Sequence, residues 1–111
     1  MAEAKLLRAT FYILSKQQEK AFDDLEDIIE NQSASPKVRA NALIKRASLF
    51  IQRCKDPQQD SLLSFKDFEK AIEIDPTNAD VYHHRGQVKM ILKTIIQTSF
   101  YDSRKYLAAI I

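Results

Sequence analysis

Two adjacent histidines, His83 and His84, stand beside Arg85 and the only glycine of the chain, Gly86. Imidazoles ligate metals and act as general bases near neutral pH, so the cluster invites a reading as a zinc or catalytic site. Its spacing argues otherwise. Neighbouring residues on a helix project about 100° apart, so they cannot close on one ion as an i, i+4 pair can. There is no third histidine, and the single cysteine, Cys54, lies in a different stretch of chain. Nothing orients a Cys–His pair as nucleophile and base. The expectation is no bound metal and no cofactor.

The acidic run "DDLEDIIE" (residues 23–30) is the next candidate, as a calcium loop or a pair of catalytic carboxylates. Calcium loops place oxygen ligands at alternate positions and need a glycine-permitted turn. Here Leu25, Ile28 and Ile29 interrupt the acids at helical spacing, which describes a solvated helix face. One glycine cannot build a phosphate-binding loop. The chain is therefore not expected to be an enzyme.

The arginines have a pattern of their own. Arg8-Ala9, Arg46-Ala47 and Arg85-Gly86 pair an arginine with a small residue, at intervals of 38 and 39 residues. In the first two, an aromatic follows three places after the small residue, as Tyr12 and Phe50. Downstream, Ala21, Leu25 and Ile28 match Ser64, Phe68 and Ala71, each set lying on one helical face. The chain thus repeats a unit of two helices. If stacking aligns Arg8, Arg46 and Arg85, they form a ladder of guanidinium groups open to acidic or carbonyl partners. The competing reading packs each arginine stem between helices and pairs its head with a neighbouring acid.

Composition supports the helices. The chain has 111 residues, 45% of them hydrophobic and 29% charged, which is room for one domain with a modest core. One Gly and three Pro are too few for a turn-rich β protein. Seventeen basic and 15 acidic residues are interspersed, giving a net charge of +2 and no basic stripe for nucleic acid. One cysteine excludes an internal disulfide, and no window approaches the ~20 apolar residues of a membrane span. Ser35-Pro36 reads as a cap followed by proline at the first helical position, Asp75-Pro76 as a stop, and Asn78 as a further cap. These signals predict helices over 2–16, 18–31, 36–54, 61–74 and 78–97, with "CKDPQQDS" as a long connection between the third and fourth.

The unit resembles the tetratricopeptide repeat, a stacked helix pair with a period near 34 residues. "AEAKLLRATFYILSKQQEKAFDDLEDII" has that family's spacing of small and large residues, and "FEKAIEIDPTNADVYHHRG" is similar to its junction between repeats. The longer run "RANALIKRASLF" with "DFEKAIEIDPTNADVYHHRGQ", preceded by "LLRATFY", resembles the middle to C-terminal repeats of the 70-kilodalton receptor family of the outer mitochondrial membrane translocase. The similarity covers about residues 2–87. It implies an all-α, right-handed solenoid of antiparallel helix pairs, with units at about 2–34 and 36–77 and the first helix of a third at 78–97. It also implies a seam in which Ala9, Ala21, Ala47, Phe68, Ala71 and Gly86 sit where helices touch.

For function, the resemblance implies a receptor at the cytosolic face of the mitochondrial outer membrane. Such a receptor captures carrier-type precursor proteins and works with other translocase subunits. First helices line the concave surface in that family, so the candidate peptide-binding residues are Thr10, Tyr12, Asn41, Lys45, Tyr82, His83 and Gln87. Leu6 and Thr10 stand where related co-chaperones carry a Lys–Asn clamp for chaperone tails, and they cannot supply it. The alternative is a generic tetratricopeptide adaptor or co-chaperone scaffold with no import role.

Beyond Gln87 the pattern fails. A complete third repeat would return through an alanine, a large apolar residue, a second alanine and a proline, but Thr98, Asp102, Lys105 and Ile110 fall there. Residues 98–111 are therefore expected to be a non-matching, poorly ordered tail. Such a tail suggests a truncated or alternatively spliced product, or a gene model running into non-coding sequence, and a chain of marginal stability.

Overall fold

The computed structural model describes residues 2–53 and 57–98, so Cys54 and the expected tail from Ser99 onward lie outside the described residues. Five helices follow one another: α1 (Ala2–Leu14), α2 (Gln18–Glu30), α3 (Pro36–Arg53), α4 (Pro57–Ile74) and α5 (Ala79–Thr98). There is no strand among the described residues.

The helix ends have local causes. α1 closes through Lys16, whose φ of 62° is left-handed. Gln17 N–H donates to Tyr12 O at 2.8 Å and Lys16 N–H to Ile13 O at 3.2 Å, the two bonds of a Schellman turn. A lysine rather than glycine there costs about 1 kcal/mol of backbone strain. At the start of α3, Val38 N–H donates to Ser35 Oγ at 3.3 Å, and Pro36 takes the first helical position. At α5, Asp80 N–H donates to Asn78 Oδ1 at 3.0 Å. Both expected caps form.

One boundary departs from expectation. α4 begins at Pro57, four residues before the predicted start at 61. The proline that reads as a breaker in "CKDPQQDS" opens the helix, because the N–H it lacks would have no intrahelical acceptor in the first turn.

α1 pairs with α2 and α3 with α4, while α3 also packs on α2, α5 and, more lightly, α1. Small residues let these helices approach. Ala9, Ala21, Ala40, Ala42, Ala47 and Ala71 are fully buried, alongside Leu25, Leu43 and Phe68. Gly86 is a correction to the expected seam: it is exposed, and a Cβ built on it would meet nothing within 4 Å. α5 is anchored instead through Val81 and Val88, 0% and 4% exposed, and no described helix covers the flank that carries Gly86.

Candidate functional site

The first helices of the pairs, α1, α3 and α5, border a groove of about 380 Å³. α1 contributes Leu6 and Ile13, α3 contributes Asn41, Ile44, Lys45, Ser48, Leu49 and Gln52, and α5 contributes Asp80 and His84. The α3 residues recur at steps of three and four, so one helical stripe supplies the floor. Its chemistry is mixed. Leu6, Ile13, Ile44 and Leu49 form an apolar strip, and Lys45, Asp80 and His84 place ionisable groups along its edge. A space of this size admits a few side chains of a bound segment rather than a whole helix.

Of the expected contact residues, Asn41 and Lys45 line the groove. Asn41 is partly engaged already, accepting a bond from Asn78 Nδ2 at 3.3 Å that ties the start of α5 to α3. Thr10 is half-buried and turns its hydroxyl back to Leu6 O at 3.0 Å. Tyr12 is drawn toward the α2 side, with Lys20 Nζ 5.7 Å and the Arg8 guanidinium 5.9 Å from its ring centre. Tyr82, His83 and Gln87 are exposed outside the groove lining. His84 lines the groove where His83 was expected, since it lies one turn beyond Asp80. The two histidine rings sit edge to face at 5.6 Å. Among the described residues, no three potential metal ligands come together.

The arginines divide. Arg8 grips Asp24 of α2 through two bonds, Nε to Oδ2 at 2.8 Å and Nη2 to Oδ1 at 2.6 Å. Arg46 grips Asp67 of α4 in the same way, both bonds at 2.8 Å. Each is a bidentate fork from a first helix to a buried carboxylate on its own second helix. Both heads are paired with a neighbouring acid, as in the competing reading of the arginines, and the Arg8 side chain stays 55% exposed while Arg46 is 23% exposed. Arg85 lies over the Tyr82 ring at 5.3 Å. The signal for the forks was available, because Asp24 and Asp67 each immediately precede the large seam residue, Leu25 and Phe68.

The fork perturbs both partners. The hydrogen bonds from Arg8, reinforced by its charge and by Lys5, hold the Asp24 carboxyl below its ordinary value of 3.8, against the opposing effect of burial. Hydrogen bonding to Asp24 and Asp67 raises the Arg8 and Arg46 guanidinium groups above their ordinary range. For Asp24 the folded pKa lies below the unfolded one. Its stabilisation is therefore complete above about pH 4 and is lost as pH falls through the folded value. The expected result is that Asp24→Asn lowers the melting temperature at about pH 7 and that the deficit shrinks as the pH falls below about 4. Melts across that range check it, and a deficit independent of pH would disconnect Asp24 from the acid response.

No family model matches the chain. Over 95 residues, 86% of its length, it is 54% identical to the human mitochondrial import receptor subunit TOM70. The same stretch is 52% identical to the rat and mouse proteins of that name. The chain spans about 15% of the length of these curated relatives.

Proposed function

Since the chain is homologous to a segment of mitochondrial import receptor subunit TOM70, we propose that it is a non-enzymatic binding fragment of such a receptor. It captures precursor proteins of the carrier type for import, at the cytosolic face of the mitochondrial outer membrane and in company with other translocase subunits. The observation that carries the reading is the groove across α1, α3 and α5, whose apolar strip is bordered by polar and charged residues. Capture is non-covalent. The half-buried Leu6 and Ile13 remove apolar side chains of the precursor from water, over a floor that Ile44 and Leu49 back from below, while Lys45, Asp80 and His84 keep the rim wetted. No described helix is long and apolar enough to cross a membrane.

Fluorescence anisotropy with labelled segments of a carrier precursor tests the proposal, against polar helical peptides of equal length and charge. The apolar segments are expected to bind at least about tenfold more tightly, a difference of about 1.4 kcal/mol. Ser48→Glu places a carboxylate on the groove floor and is expected to abolish that preference without changing the circular dichroism. Equal binding of both peptide classes would favour a generic adaptor.

A further inference from the structure

The three prolines differ in what precedes them. Pro57 and Pro76 follow aspartates, whereas Pro36 follows Ser35, the one hydroxyl–proline pair of the chain. Ser35 lies in the turn between α2 and α3, where residues 31–37 are exposed apart from the half-buried Ala34. Its hydroxyl accepts a bond from Val38 N–H at 3.3 Å, which is long for a hydrogen bond and easily given up. Proline lacks an N–H and holds the residue before it in extended backbone. A serine so placed in an exposed turn is the acceptor that proline-directed protein kinases select.

We propose that Ser35 is a phosphorylation site and that the free end of the Arg39 side chain receives the phosphate. In the transfer, Ser35 Oγ attacks the γ-phosphorus of a nucleoside triphosphate. The bond from that phosphorus to the β–γ bridging oxygen breaks, and the nucleoside diphosphate leaves. The hydroxyl proton passes to the base of the kinase. The modified serine carries about −1.5 to −2 charge and new acceptor oxygens.

The receiving group is already in place. Arg39 stands one turn after Ser35, so the two share a face of α3. Its side chain runs back across the turn, where Nε donates to Ile29 O at 3.1 Å near the end of α2. Arg8, Arg46 and Arg53 each close on an aspartate. Arg39 does not: among the described residues its terminal nitrogens make no bond or ion pair, which leaves them to take an anion in a fork. Lys37 is exposed but borders a hollow with Asp75 and Asp80, so it is the weaker receptor. Glu30, exposed at the end of α2, opposes the phosphate, and the first turn of α3 favours it. The phosphate then ties the end of α2 to the start of α3, the helix that floors the groove.

The test treats the full chain with a proline-directed serine/threonine kinase, ATP and magnesium, and maps the product by tandem mass spectrometry. One phosphoryl group on Ser35 is expected, with the neighbouring Ser33 unmodified, and Pro36→Ala is expected to abolish the transfer. Hydrogen exchange over residues 37–41 reads the consequence. Phosphorylation is expected to slow it by about two- to fivefold, the size of a charge–helix interaction. Arg39→Gln is expected to remove most of that slowing. Each variant is compared with its own unphosphorylated form, so the lost bond to Ile29 O cancels. Arg39→Lys keeps a donor for Ile29 O and stands in where Arg39→Gln does not fold; it must show a smaller slowing than the parent chain. A chain left unmodified at Ser35, exchange that quickens on phosphorylation, or a slowing that the Arg39 variants leave whole would each overturn the proposal.

Discussion

Arg46→Met is expected to destabilise the fold by about 3–5 kcal/mol, the cost of leaving one member of a buried ion pair behind. The Asp67 side chain is 8% exposed and receives both of its hydrogen bonds from the Arg46 fork. Methionine keeps most of the stem's packing but removes every donor, so the carboxylate is left buried without its partner. Against a typical total of about 5–15 kcal/mol, that loss is large. Arg46→Lys keeps the charge without the fork geometry and should fall between. Arg8→Met should cost less, because the Arg8 side chain is 55% exposed and water can reach the vacated place. Urea unfolding of the three variants measures the order. The double variant Arg46→Met, Asp67→Leu is expected to recover most of the loss, because no buried charge remains. An Arg46→Met chain that unfolds at the wild-type urea concentration would show that the fork contributes nothing.

That fork marks the boundary between what the sequence discloses and what it does not. The helices were legible because their signals are local: Ser35 before Pro36, Asn78 after Asp75-Pro76, and apolar residues at steps of three and four. The small residues Ala9, Ala47 and Ala71 also stood out by their recurrence, and all three are fully buried. Pro57 misled because a proline marks both the end of one helix and the start of another, and only the fold decides.

The contacts between helices were harder to read. Arg8 and Arg46 stood out in the sequence, but their acids lie 16 and 21 residues away, beyond a turn whose length differs between the units. Periodicity places His83 and His84 on adjacent stripes and cannot say which one faces α3. Gly86 shows the same limit from the other side. Matching it with Ala9 and Ala47 identifies its place in the unit, but whether a helix occupies the space beside it depends on a neighbour that the match does not supply.

The second large effect is expected at the seam itself. Phe68 is among the largest fully buried side chains in the fold, and Phe68→Ala should cost about 3–5 kcal/mol, part lost transfer energy and part cavity. Ala47, also 0% exposed, lies on the helix that packs most extensively against α4. Ala47→Leu should overpack that seam and cost about 1–3 kcal/mol. The repeat pattern sets these two residues face to face, the small one on α3 receiving the large one on α4. If so, the volume added at one site fills part of the volume removed at the other, and the two changes must couple. The double variant is expected to be at least about 1 kcal/mol more stable than the sum of the single losses predicts. Denaturant unfolding of the four chains measures that coupling directly. Strict additivity would show that Ala47 and Phe68 do not share a space, and that the register of small against large residues across α3 and α4 has been misassigned.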